Sequence, residues 1–146
     1  MTVAPGGVIE NVSYVEVGQT QSDRVYDNAL VLAGGEVFAN DLTVRDANRL
    51  DVVIGSSGVK PIVLENAANL VLGCSILPSM TNRSKLGVWY PIVKTKTGII
   101  TIGEQGDINN LLITTPGNPV KWKLRLSEDK TTLSICGSIP TLFMVR

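Results

Sequence analysis

The sequence contains no histidine. That absence removes the Ser-His-Asp and Cys-His constellations of nucleophilic catalysis. It also leaves a zinc site short of ligands, because only two cysteines are present and no C-x-x-C spacing occurs. Cys74 and Cys136 lie far apart in the chain. The preferred reading is two reduced, buried thiols, as in a protein made in the cytoplasm, with a disulfide as the alternative. No apolar run approaches the ~18–20 residues of a membrane span. The opening MTVAPGGVIENVSY has neither a basic nor an apolar leader region, which fits synthesis in the cytoplasm. Basic excess is absent too: 13 basic and 13 acidic residues give a formal net charge of zero, whereas nucleic-acid-binding domains are usually basic.

What the sequence does hold is a strong period-two pattern. Its 146 residues suit one domain, and 44% hydrophobic with 18% charged residues is too apolar for disorder. Apolar residues alternate over short runs at 12–17, 24–32, 36–38 with 42–44, 50–54, 61–64, 70–76, 86–94, 98–102, 111–115, 120–126, 131–136 and 142–145. Between them stand turn signals such as AGG at 33–35, GSSG at 55–58, EQGD at 104–107, TPGNP at 115–119 and SEDK at 127–130. VLENAANLVL at 63–72 reads either as two strands around a turn, the preferred reading, or as a short helix. The pattern predicts an all-β, single-domain β-sandwich of jelly-roll type, with a small β-barrel as the alternative. No internal repeat stands out. LVLAGGEVF and LVLGCSIL share only L-V-L followed by small residues.

The most regular piece is VKWKLRLSEDKTTLSICG, from Val120 to Gly137. It predicts a hairpin around SEDK. Val120, Trp122, Leu124 and Leu126 would be buried, and Lys121, Lys123 and Arg125 would stand in a row on the other face, about 6.6–7 Å apart. Such a row is first a solvated strand face that resists edge aggregation. It is second a docking face for an acidic protein. It is only third a grip for nucleic acid, because the stacking aromatics of nucleic-acid sheets are missing from that face.

Other chemistry is sparse. GSSGVKP at 55–61 lacks the spacing of a phosphate loop. Glu36 with Asp41, or Asp46 with Asp51, are candidate carboxylate pairs for a glycosidase. Asp41, Asp46 and Asp51 lack the spacing of a calcium loop, and interleaved Arg45 and Arg49 make ion pairs the better reading. No cofactor, metal or catalytic residue is assigned, and no enzyme activity is expected.

Two features suggest an assembly protein. Residues 1–11 carry Pro5-Gly6-Gly7 without alternation and read as an extended N-terminal arm ahead of a domain at 12–146. Charge is also uneven: residues 1–73 hold nine acids and four bases, and residues 74–146 hold four acids and nine bases. Either the halves neutralise each other in the fold, the preferred reading, or acidic and basic patches meet between copies.

The arm MTVAPGGVIENVSY, the stretch LVLAGGEVFANDLTV and the closing LFMVR give the chain a profile that resembles the small virion proteins of tailed bacteriophages, in particular capsid decoration (cement) proteins. The resemblance implies a β-fold on the capsid exterior that binds the major capsid protein lattice and clamps neighbouring subunits, often through an N-terminal arm. It implies a homo-oligomer, dimer or trimer, with no nucleic acid or membrane partner. Candidate contact residues are Val3, Pro5, Val8 and Ile9 in the arm and Lys121, Lys123 and Arg125 in the row. The alternative is a carbohydrate- or receptor-binding β module of a phage tail or fibre. It would need an exposed aromatic beside Asp or Asn groups, with Tyr14, Tyr26 and Trp89–Tyr90 as candidates.

Overall fold

A computed structural model describes residues 1–18, 28–82, 85–103 and 106–139. Its strands, in chain order, are β1 (Thr2–Val3), β2 (Val8–Val17), β3 (Ala29–Leu32), β4 (Glu36–Val44), β5 (Arg49–Ile54), β6 (Ile62–Leu64), β7 (Ala68–Leu70), β8 (Ser75–Met80), β9 (Trp89–Thr95), β10 (Ile100–Ile102), β11 (Lys121–Leu126) and β12 (Thr132–Ser138). A 3-10 helix covers Ile108–Leu111. The all-β expectation is met: the curled sheets form a half-barrel over one core. The preferred reading of 63–72 also holds, since β6 and β7 flank a turn there.

The chain winds from one sheet to the other and back. β1, β3, β5 and β8 form the smaller sheet in that order. The larger sheet takes β2, β4, β6 with β7, and β9 with β10, one turn after another. Every pairing among β1–β10 is parallel. Only the terminal hairpin runs antiparallel, with β12 on β9 and β11 on β12. The sheets are thus joined as a parallel coil. Each winding returns the chain in the same direction, so equivalent positions stack.

The stack is apolar on its inside. Leu30 lies beside Leu50, and Leu50 beside Ile76. Across the core, Val37, Ile62 and Val93 form a second row, and Val44 with Leu70 a third. All of these are buried. A side chain of this size contributes roughly 1.5–3 kcal/mol on burial. Turn length varies: 20 residues separate Leu30 from Leu50, whereas 26 separate Leu50 from Ile76. Unequal turns explain why no fixed period shows in the sequence.

Residues 1–11 do not form an extended arm. Met1 and Val3 carbonyls accept bonds from Val31, Ala33 and Gly35 at 2.8–3.1 Å, and β2 begins at Val8 against β4. A Cβ on Gly35 would press into Val3 and the Ala4 carbonyl, so glycine is what lets this first turn close. Pairing groups and an apolar Val3 are better satisfied on the chain's own sheet than in water. Two strand expectations also change. Residues 71–74 turn between β7 and β8, and 111–115 hold the end of the 3-10 helix and a single bridge from Leu112 to Ile76. Asp107 sets that helix by accepting from the Asn109 amide. The expected strand at 142–145, and residues 24–27 of another, lie outside the described residues. No helix among the described residues is long and apolar enough to cross a membrane.

Truncating a stacked side chain should therefore cost far more than truncating a turn side chain. Leu50→Ala is expected to lose about 2–5 kcal/mol in urea unfolding, and Leu72→Ala, at a turn and 57% exposed, about 0.5 kcal/mol or less. Equal losses would mean that the coil is not held by its inward rows.

Candidate functional site

The basic row forms as the alternation predicts. β11 pairs with β12 in the register Lys121–Ser138, Lys123–Cys136 and Arg125–Ser134. Trp122 and Leu124 point into the core, while Lys121, Lys123 and Arg125 are exposed. Gly137 sits opposite Trp122, and a Cβ there would lie 2.8 Å from the indole. The missing side chain is what allows that large ring to lie under the strand.

The row is not a bare line of charges. Arg125 lays its guanidinium over Trp89, 4.3 Å from the ring centroid, an arrangement worth about 0.5–1 kcal/mol at exposed sites. Trp89 stands on β9, two strands away, opposite Cys136. Lys123, Cys136 and Trp89 thus run across three strands. Lys121 and Lys123 make no ion pair among the described residues.

β11 is the last strand of its sheet, and its outer edge is partly closed. The Leu124 amide donates to Asn109 Oδ1 at 2.8 Å. Asn109 is itself held by Asp107 Oδ1 through its backbone amide and its Nδ2, at 2.9 and 3.0 Å. This side-chain cap takes an edge group that an incoming strand would need. What this end exposes is therefore the side chains of the row rather than a fully open strand edge.

The hairpin turn is well fastened. Asp129 Oδ1 accepts from Ser127 Oγ at 2.7 Å, Thr131 Oγ1 at 2.8 Å and the Thr131 amide at 3.2 Å. These bonds, the one from Ser127 first, hold the Asp129 carboxyl below its ordinary pKa. Lys130 adopts a φ of 59°, the left-handed conformation that closes the turn.

The other candidate contacts do not converge on the row. Val3 is 4% exposed and belongs to the core, and Ile9 is half-buried beside Val37. Pro5 and Val8 face outward. Val3 is therefore unable to reach a partner, and the four do not act as one arm.

The carboxylates are mostly engaged locally. Arg49 bonds Asp51 at 2.7 Å and Lys60 meets Glu36 at 3.4 Å. Arg45 reaches Glu16 on β2 at 2.6 Å rather than a neighbouring Asp. That bond from Arg45 lowers the Glu16 pKa against the opposing effect of burial, helped by Tyr14. Asp41 accepts from the Ala67 amide at 3.1 Å and from Asn66 at 3.3 Å. No group of three Cys, Asp or Glu able to hold a metal occurs among the described residues.

Aromatic exposure is where the sequence reading fell short. Tyr14 is 57% exposed, with its hydroxyl donating to Glu16 Oε2 at 3.1 Å. Trp89 and Tyr90 are half-buried, and Tyr26 lies outside the described residues. Phe38, not singled out from sequence, points outward at 39% exposure. The signal was present in GEVFAND, since Val37 and Ala39 take the inward positions and leave Phe38 on the polar side. Phe38 floors a groove of about 430 Å³ beside Asn40, Glu65 and the start of β2.

Both cysteines are free, but of the two expected to be buried only Cys74 is; Cys136 is half-exposed, beside Lys123 and Trp89 in the register of the hairpin. Burial, with the nearby Asp46 charge second, pushes the Cys74 thiol up to about 11. A thiol reagent at mildly alkaline pH should modify Cys136 in the folded protein and Cys74 only after unfolding. Equal rates would show that the coil opens around Cys74. For Asp129, a depressed folded pKa stabilises the turn above the unfolded value of about 3.9. That stabilisation disappears as pH falls through the folded value. NMR titration should place Asp129 below the usual carboxylate range, and Ser127→Ala should move it back up. No family model matches the chain, and neither does any curated protein or solved structure, so the reading of these surfaces rests on their own geometry.

Proposed function

We propose that the protein is a non-enzymatic structural component of a tailed-phage virion that docks on the capsid exterior and stabilises the shell. One observation carries this reading: charge is separated along the coil axis. In a parallel coil, position in the chain becomes position along the axis. Among the described residues, Glu10, Asp41 and Asp46 lie on the first turns outside any ion pair, while the cations Arg45, Arg49 and Lys60 are each matched to a carboxylate. Lys94, Lys121, Lys123, Arg125 and Lys130 lie on the last turn and its hairpin, with no ion pair among the described residues. Against these five cations stand Asp107, Glu128 and Asp129, so the end keeps a basic surplus. Such an end orients the protein on an acidic surface and speeds encounter.

Docking would run through the hairpin rather than through an arm. The acidic partner would be the major capsid protein lattice, which repeats the same contact many times. A dimer or trimer would engage several sites at once, so weak contacts sum to a firm hold. A second reading, a carbohydrate- or receptor-binding module of a tail or fibre, is favoured by the outward Phe38 and Tyr14 beside polar groups.

Co-sedimentation with assembled empty phage shells tests the first reading. The protein should bind shells saturably, bind free capsid subunits weakly, and release as salt rises. Lys121→Glu with Lys123→Glu should weaken shell binding by about tenfold or more, equivalent to about 1.4 kcal/mol. Binding unchanged by that double reversal would take the basic end out of the mechanism.

A further inference from the structure

The groove at Phe38 is built by an irregularity in β2. Ile9 lies beside Val37 and Val12 beside Ala39. Three steps on β2 therefore match two on β4. The extra residue bulges, and Asn11 takes a φ of 58° to allow it. The bulge lifts Glu10 and Asn11 opposite Phe38 and opens the groove between them. Val63, next to Phe38 in register on β6, continues the floor. Because Val37, Ala39, Ile62 and Leu64 are buried on the inner side, the floor is part of the packed coil and does not move to admit a ligand.

The walls are polar and largely unoccupied. No side-chain hydrogen bond engages Glu10, Asn11, Ser13 or Asn40 among the described residues. Glu65 is bonded by Lys96 through Oε1 at 2.5 Å, which fixes its carboxylate and leaves Oε2 to accept. One flat apolar ring, two free amides, a hydroxyl and two carboxylates thus surround one depression. Its volume lies within the range of small-ligand sites.

We propose that this groove binds a neutral pyranose oligosaccharide. A pyranose has one face of C–H groups and a rim of hydroxyls. The C–H face would lie on the Phe38 ring. The Asn11 and Asn40 amides would each donate to and accept from hydroxyls, and Glu10 and Glu65 would accept hydroxyl protons. Glu10, which has no cation partner among the described residues, disfavours uronates and other anionic sugars, and equally nucleic acid, while the Glu65 charge is matched by Lys96. A peptide fits less well, because the groove has no deep apolar pocket to anchor a side chain. The inference rests on the second reading above, in which the protein recognises a receptor. A single open groove of this kind binds weakly, with a dissociation constant on the order of 1 mM. Repetition on a virion supplies the avidity.

The test is NMR titration of the full chain with gluco-, manno- and galacto-oligosaccharides, and with a polyuronate as the anionic control. At least one neutral oligosaccharide should shift the Phe38 ring and the Asn11 and Asn40 side-chain amides. Phe38→Ala should weaken that binding by about tenfold or more, Phe38→Tyr should retain it, and Lys121→Glu with Lys123→Glu should leave it unchanged. Phe38 is outward, so its variants should keep the parent melting temperature. If they melt early, Asn40→Ala provides the same comparison. Groove resonances that stay still with every neutral oligosaccharide overturn the inference, as do shifts undiminished in Phe38→Ala. Adsorption to intact bacterial cells separates the two failures. Cells bound without any sugar response would keep the receptor reading and remove the sugar, whereas neither response would remove both.

Discussion

The coil depends on register between successive turns. Leu50 is buried because Leu30 lies on one side of it and Ile76 on the other, and the same holds for Ile62 between Val37 and Val93. Side chains alternate along a strand. A slip of one residue between turns would turn an entire inward row to solvent and bring Val31, Asp51 and Leu77 inward. Asp51, bonded to Arg49 on the outer face, makes that alternative costly. Apolar burial therefore fixes the register, and register fixes where every outward side chain stands.

A stack of parallel strands has ends, and ends invite further pairing. The chain manages its last turn with an antiparallel hairpin, whose own outer edge is partly closed by Asn109 on the Leu124 amide. Near the other end, the β2 bulge at Glu10 and Asn11 interrupts a long strand. Each device leaves a side-chain surface behind. At one end it is a basic row steadied by Arg125 over Trp89, and near the other a groove floored by Phe38. The two proposed surfaces are consequences of how the coil is terminated and interrupted.

Winding also changes what the charge distribution means. In a fold that pairs distant segments, acidic and basic halves of a chain mix. Here β1 and β2 make the first turn, β9 and β10 the fourth, and the hairpin follows β9. The halves therefore adjoin along the axis rather than interleave, and neutralise each other where they meet, as in the pair of Lys96 with Glu65. Pairs such as Glu16 with Arg45 and Glu36 with Lys60 cancel charge between successive turns, so any polarity rests on the unpaired residues.

The sequence by itself determined the all-β class, the hairpin over 120–136 and the outward row of Lys121, Lys123 and Arg125. These follow from period-two alternation and turn chemistry, which act between near neighbours. Tertiary structure showed Phe38 to point outward, and nothing near it in sequence marked a groove. Tertiary structure alone decided that strands pair in parallel across 20 or more residues, that residues 1–11 belong to the first turn, and that Glu10, Asn11 and Glu65 gather beside Phe38. Those outcomes depend on which turn stacks on which. With turns of unequal length, that choice is made by burying inward rows together, a global fit that no local pattern records.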